Sequence, residues 1–473
     1  MIPLTLAEIA DVVSGRTHGI PDAGRTVTGP VVIDSREVRP GALFAAFRGT
    51  RVDGHDFAGA AVAAGAAAVL ATRPVEGPAI VVDDVEAALG ALARHVVRRL
   101  GTTVVGLTGS AGKTSTKDLL AQLLTRLGPT VWPPGSLNNE IGLPLTALRA
   151  EPGTRHLVLE MGARGVGHIR YLAGLTPPRV GVVLNVGSAH IGEFGGREQI
   201  ARAKGELVEA LPPAEEGGIA VLNADDPLVR AMRSRTRART VLFGESADAD
   251  IRAENVRLTR KGQPTFTLHT PTGCGDVTMR LYGEHHVSNA LAAAAVAHEL
   301  GMSTDEIAEA LSAADTLSRW RMEVTERADG VTVVNDAYNA NPESMRAALR
   351  ALAAIAGGGA VGEGRRTWAV LGEMAELGED SLTEHDAVGR LAVRLNVSKL
   401  VAVGGRAAAW LDMGAKNEGS WGEESVHVSD AQAAIDLLRK ELRPGDVVLV
   451  KASRSVGLEK VALALVEGEV ADR

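Results

Sequence analysis

The sequence predicts an α/β chain folded as three successive domains: a small α/β unit over residues 1–98, a central unit with a mostly parallel sheet over 99–318, and a C-terminal unit like a dinucleotide-binding fold over 319–473. Three observations predict it. At 473 residues the chain is too long for one ordinary core, and about three domains is the natural expectation. Apolar, β-branched runs alternate with helical periodicity along most of its length, the pattern of a largely parallel sheet. Most of those runs end in polar or glycine-rich sequence, as strands do when their C-terminal ends share one crevice.

The first unit opens on a helix start, because Thr5-Leu-Ala-Glu8 spells a capping box and Leu6, Ile9, Ala10 and Val13 form one stripe. Val31–Ile33 reads as a strand ending in Asp34-Ser35-Arg36, and Leu43–Phe47 as a second ending in Arg48-Gly49. A helix over Gly54–Gly65, strands at Ala67–Ala71 and Ala79–Val82, and a helix over Val85–Leu100 follow. Ser35, Arg36, Arg48, His55 and Asp56 sit at strand or loop ends, where ligands bind in such folds; Arg36 and Arg48 read equally well as surface charges.

The central unit is organised around Val104–Ser115. Thr102–Leu107 is apolar and β-branched, so it reads as a buried strand. Gly109 and Gly112 permit a tight loop whose N–H groups can all point inward, and from Thr114 the chain turns helical, with Leu119, Leu120, Leu123, Leu124 and Leu127 on one face. Strand, glycine loop, Lys-Thr and helix is the arrangement that cradles phosphate. Leu107 stands where the longer form of this motif has its first glycine, so the match is to the shorter Thr108-Gly109-Ser110-Ala111-Gly112-Lys113-Thr114. Lys113 supplies a point charge for terminal phosphates, and the Thr114 hydroxyl suits Mg²⁺. Leu157–Leu159 delivers Glu160 at a strand end, Val180–Leu184 runs into Asn185-Val-Gly-Ser-Ala-His190, and Ile219–Leu222 ends at Asn223. Glu160 is a hard-oxygen group fit for Mg²⁺, and His190 could ligate a second metal or hold a water. Residues 240–282 read as an antiparallel subregion, and Ser288–Leu300 as an alanine-rich helix.

In the third unit, Val331–Val334 reads as a strand ending in Asn335-Asp336-Ala337-Tyr338-Asn339. Asn341 caps the next helix, with Pro342 in its first turn. Thr367–Leu371, Leu400–Val403 and Val447–Val450 are further strands, ending respectively in Gly372-Glu373, Gly404-Gly405-Arg406 and Lys451-Ala-Ser-Arg454. No Gly-x-Gly-x-x-Gly is present, so bound NAD is not expected.

A net charge of −8 argues against a nucleic-acid surface. The single cysteine, Cys274, excludes an internal disulfide and fits a reducing compartment. No secretory signal is read at the start, and the most apolar run, Ala58–Ala71, is too short and too rich in alanine and glycine to span a bilayer. A cytoplasmic monomer with no integral membrane segment and no nucleic-acid partner is expected.

Several longer motifs carry a resemblance. They are Asp34-Ser35-Arg36 with Phe47-Arg48-Gly49 and Asp53-Gly-His-Asp-Phe57; the glycine loop; Asn138-Asn139-Glu140-Ile-Gly142; Glu160-Met-Gly-Ala163; Ala203-Lys204-Gly-Glu206; Gly283-Glu-His-His286 with Asn289; Asp336-Ala-Tyr-Asn339-Ala-Asn341-Pro342; Leu371-Gly-Glu-Met-Ala-Glu-Leu-Gly378; and Lys451-Ala-Ser-Arg454-Ser455. Over nearly its whole length the chain resembles the Mur ligases, ATP-dependent amide-bond-forming enzymes of peptidoglycan synthesis. Within them it is similar to the member that adds D-alanyl-D-alanine to UDP-N-acetylmuramoyl-tripeptide.

The resemblance implies a small substrate domain, a central ATPase domain and a closing third domain hinged near Arg319–Glu323. It implies that Gly109 to Ser115 bind ATP, with Lys113 on the β/γ-phosphates and Thr114 on Mg²⁺. Glu160 and His190 complete the metal site, and Lys204 matches a lysine that is carbamylated in several members; an unmodified lysine on the phosphates is the other reading. Asn289 is implied to contact adenine, and Arg319 and Asp336 to hold ribose and phosphates. Asn339, Asn341, Lys451 and Arg454 would face the cleft and the incoming dipeptide. Asn138 and Asn139 go with the substrate, and Ser35, Arg36 and Arg48 with the UDP-sugar. His286 stands where asparagine is common and is assigned nothing. Three alternatives stay open at this point: another Mur ligase, a folylpolyglutamate-synthase-like ligase, which shares the short glycine loop, and a slow nucleotide-hydrolysing switch, although no Asn-Lys-x-Asp base-reading motif is present.

Overall fold

The structure is a computed structural model and describes residues 1–50, 52–187, 191–357, 364–420 and 423–467. Three larger sheets follow one another along the chain. The first has five strands in the order Arg16–His18, Ala79–Val81, Ala68–Ala71, Leu43–Ala45, Val31–Val32, parallel except for the first. The expected helix over Gly54–Gly65 divides into a 3-10 turn at Gly54–Phe57, capped by Asp53, and a helix at Ala58–Ala63. The Val85–Leu100 helix has the predicted bounds, fixed by the Asp84 cap and by Gly101 in the left-handed region.

The central sheet has nine strands. Thr103–Thr108 lies between Val180–Val183 and His156–Glu160, parallel to both. Its interior residues are buried on both faces, which is why the strand reads as continuously apolar. The chain next lays down the outer strand Thr130–Val131 on one side of Thr103–Thr108, fills in His156–Glu160 between them, then crosses to the other side with Val180–Val183. The loop after Thr103–Thr108 therefore opens at the point where strand order reverses, the usual place for a ligand in an open α/β sheet. The 240–282 region is less antiparallel than expected: Arg239–Gly244 and Ile251–Leu258 continue the parallel sheet, and only Pro264–Thr270 and Gly273–Thr278 add antiparallel strands at its edge.

The third sheet has six strands: Glu323–Glu326 pairs antiparallel with Thr332–Asn335, followed in parallel by Val447–Lys451, Thr367–Leu371, Lys399–Val403 and Ser425–Val428. Its edge strand Glu323–Glu326 carries no apolar alternation and was not legible as a strand.

One apolar core runs from the first sheet into the central one. Leu89, Leu92 and Val96 of the Val85–Leu100 helix share it with Leu143, Ile169 and Leu172. Gly90 lets this helix lie against Leu175, whose Cδ2 would stand 2.7 Å from any Cβ added there. Among the described residues no helix is long and apolar enough to cross a membrane.

Candidate active site

The phosphate loop is held shut by its own surroundings. Gly112 adopts φ +82°, and a Cβ there would collide with Asn289 Oδ1, so only glycine fits. Asn185, from the neighbouring strand end, staples the loop: its Oδ1 accepts from the N–H groups of Ser110 and Ala111 at 3.0 and 2.9 Å, and its Nδ2 donates to Ala111 O at 3.1 Å. The expectation that every loop N–H points inward is therefore corrected. Two of them are spent on Asn185, and the first turn of the Lys113–Leu127 helix, which has no side-chain cap, is left to offer donors. Lys113 Nζ donates to Gly109 O at 2.7 Å, folding back across the loop. Burial pulls its pKa down, while the Glu160 carboxylate pushes it back up.

Around the loop lies a cavity of about 500 Å³. Lys113, Thr114 and Lys204 reach it from the central sheet, and Arg321, Asn339, Asn341 and Arg454 from the C-terminal side. Asn138 and Asn139 also line it; Asn139 Oδ1 accepts from Gly142 N, starting the next helix. Asn341 caps the Pro342–Ile355 helix and donates from Nδ2 to Ser110 O at 3.2 Å, so a helix start of the third sheet rests on the loop of the second.

Glu160 is fully buried. Its Oε2 accepts from Ser136 Oγ at 3.1 Å, while its Oε1 has no hydrogen-bond partner. A buried carboxylate oxygen left bare is costly; Glu160 ends the strand beside the loop and does not itself line the cavity, though its partner Ser136 does. Lys204 is 5% exposed at the end of the Arg197–Lys204 helix, and burial together with the Lys113 charge drives its pKa far below the ordinary lysine value. His190 lies outside the described residues.

Other expected residues stand elsewhere. Lys451 and Asp336 are buried together, Nζ to Oδ2 at 2.6 Å, and Lys451 also donates to Asn339 O at 2.8 Å. Neither lines the cavity, so Lys451 supports Asn339 from behind instead of facing a dipeptide. Asn289 is 5% exposed behind Gly112, its Nδ2 unpartnered, and is likewise outside the cavity wall. Arg319 is exposed and does not line the cavity; the arginine that does is Arg321. Arg321 donates from Nη2 to Thr114 Oγ1 at 3.3 Å and lies 4.3 Å over the Tyr338 ring. Two arginines two residues apart in an irregular linker carry no periodicity that tells them apart. Arg454 covers the Trp320 ring at 4.5 Å and pairs with Glu459 at 2.7 Å.

Ser35, Arg36 and Arg48 are not brought to this cavity. Ser35 sits in a short turn capped by Asp34, and Arg36, 88% exposed, pairs with Asp34 at 2.6 Å. That guanidinium holds the Asp34 carboxyl at about 2. Arg48 is exposed nearby, beside the Asp53 cap.

Three family profiles match in turn: the Mur ligase catalytic-domain profile at residues 30–97, the middle domain at 107–297, and the glutamate ligase domain at 320–454. The chain belongs to the Mur ligase family. This Mur ligase is 52% identical to the UDP-N-acetylmuramoyl-tripeptide–D-alanyl-D-alanine ligase of Mycobacterium leprae, over 98% of this chain and 99% of that one. Its fold matches the crystal structure of MurF from Acinetobacter baumannii with a TM-score of 0.86 at 32% identity, covering 98% and 99% of the two chains. It matches MurF ligase from Thermotoga maritima in complex with ADP with a TM-score of 0.79 at 33% identity, covering 94% and 99%.

Proposed function

We propose that this Mur ligase joins D-alanyl-D-alanine to UDP-N-acetylmuramoyl-tripeptide at the cost of ATP. The observation that carries the reading is the cavity at the phosphate loop, walled by Lys113 and Lys204 from one sheet and Arg321, Asn339 and Asn341 from the next. The names of its relatives agree with it.

Condensing a carboxylate with an amine in water is uphill, so the carboxylate must first be activated. The γ-phosphoryl of ATP passes to the tripeptide's terminal carboxylate and gives an acyl phosphate; the dipeptide amine then attacks, and phosphate leaves through a tetrahedral intermediate. Catalysis of such a transfer is chiefly positioning and neutralisation of charge. Lys113 and Arg321 bring cations to the phosphates, and the uncapped helix turn after Gly112 offers N–H donors. The third sheet, resting on Ser110 through Asn341, keeps water from the acyl phosphate. The residues at Arg319–Glu323 serve as the hinge; Trp320 and Met322 there take positive φ values of 58° and 51°, costly for side-chain-bearing residues.

The donor set fits Mg²⁺. Glu160 offers a bare, buried oxygen and Thr114 a hydroxyl, both hard ligands for a cation that keeps several waters. Thr114 and Glu160 would hold the ion, with His190 as a further candidate, and when bound it neutralises charge on the β/γ-phosphates. Burial beside Lys113 lowers the Lys204 pKa and so favours the unprotonated amine, the form that can add to CO₂, making an N–C bond and releasing a proton, to present a carboxylate on the same side of the cavity. The experiment is phosphate release from ATP: a ligase needs both the UDP-tripeptide and D-alanyl-D-alanine, and release with ATP alone would sink the reading.

A further inference from the structure

The Lys113–Leu127 helix does more than present the loop. Thr114, Asp118 and Gln122 follow at intervals of four and share one face. Each meets the irregular segment between the Thr304–Ala313 helix and the Glu323–Glu326 strand, in antiparallel order: Gln122 meets Asp315, Asp118 meets Ser318, and Thr114 meets Arg321.

At the outer end, Gln122 Nε2 donates to Asp315 O at 2.9 Å, and Asp315 N–H donates back to Oε1 at 3.0 Å. In the middle, the Asp118 carboxylate accepts from both the N–H and the hydroxyl of Ser318, each at 3.0 Å. This middle contact is sealed from water, with Lys117, Asp118 and Ser318 only 1%, 4% and 5% exposed. Lys117 Nζ pairs with Asp118 Oδ1 at 2.6 Å and donates to Ser318 Oγ at 3.0 Å. It also donates to the carbonyls of Pro133 and Gly135 at 3.1 and 3.0 Å, and Ser136, the next residue, is the one bonded to Glu160. Lys117, Asp118, Gln122 and Ser318 do not line the cavity, whereas Ser136 does. An exposed Lys–Asp pair holds little in place, whereas a sealed and fully bonded one specifies a single arrangement.

We propose that Lys117, Asp118 and Ser318 form a positioning node: they fasten the linker along the phosphate-loop helix so that Arg321 reaches the phosphates above Thr114, and they fix the turn that sets Ser136 against Glu160. The idea rests on the ligase reading, and the wild-type enzyme is the control for that, releasing phosphate only when both acceptors are supplied.

Ser318→Ala removes one hydroxyl and leaves the Lys117–Asp118 pair intact. Its expected effect is an about tenfold loss in kcat/KM for ATP. The KM for the UDP substrate stays unchanged, and the melting temperature stays within about 4 °C of wild type. In an Arg321→Ala background the same substitution has no further effect, because the hydroxyl acts through Arg321. Gln122→Ala, one turn farther out, is the second variant and is read in the same way should Ser318→Ala fail to fold. Losses that multiply in the double variant, or single variants with wild-type kinetics, overturn the node. A wild type indifferent to the acceptors overturns the ligase reading instead.

Discussion

The polar residues at the strand ends of the first sheet and those at the phosphate loop are similar in kind but differ in how their bonds are spent. In the first region they satisfy one another: Arg36 takes Asp34 at the surface, and Asp53 takes the N–H and Nδ1 of the buried His55, whose Nε2 in turn accepts from Thr72 N. At the loop, buried groups are left with capacity in hand: Glu160 Oε1 and Arg321 Nε have no partner, and burial and the Lys113 charge hold the Lys204 pKa well below the ordinary lysine value. Surface pairs of the first kind cost little to open and can be traded for a ligand. Buried groups of the second kind are destabilising until something binds, so the fold must hold them by force of packing. The first region is suited to selecting a partner and the second to altering it.

Substitutions separate the two. The largest effect is expected from Lys113→Ala, which should lower turnover by about 10³-fold or more, in a phosphate-release assay, while binding of the UDP substrate by calorimetry persists. Glu160→Gln keeps the shape and the Ser136 bond but removes the charge; about 10²-fold loss with a raised Mg²⁺ requirement is expected in a metal titration. Lys204→Ala should cost a similar factor of about 10². The wild-type enzyme should slow in CO₂-free buffer and recover on adding bicarbonate; activity indifferent to bicarbonate would remove the carbamate. In the first region, Arg36→Ala should raise KM for the UDP substrate about 5- to 10-fold with kcat unchanged, since it takes away binding common to ground and transition states. A matching fall in kcat would erase the proposed division of labour.

The last effect is on stability, not turnover, and concerns pH. His285, packed with His286, Asp336 and Lys451 where the central and third sheets meet, is held at about 4, mainly by burial. The unfolded chain binds a proton there below about 6.5 and the folded chain does not, so stability falls as pH drops from 6.5 toward 4. The loss is on the order of 3 kcal/mol, readable as a drop in melting temperature that His285→Gln reduces.

The parts legible in the sequence were those set by local chemistry. The Thr103–Thr108 strand, the glycine loop and the Asn341 cap need only their own neighbours, and all stand where the residues placed them. What escaped depends on groups far apart in the chain. Nothing near Ser110 says that its N–H is claimed by Asn185, and nothing near Lys451 says that Asp336, 115 residues earlier, will bury it. The choice of Arg321 over Arg319 is of the same kind: it is made by Thr114 and Tyr338, not by the linker.

The core that Leu89 and Leu92 share with Ile169 and Leu172 has a consequence for how the molecule comes apart. Cutting the chain near residue 100 and discarding the front piece would strip that oily cover and leave a sticky, poorly soluble remainder. With that core in common, the first and central domains should melt in a single calorimetric transition, so that whatever steadies the front one also steadies the loop behind it.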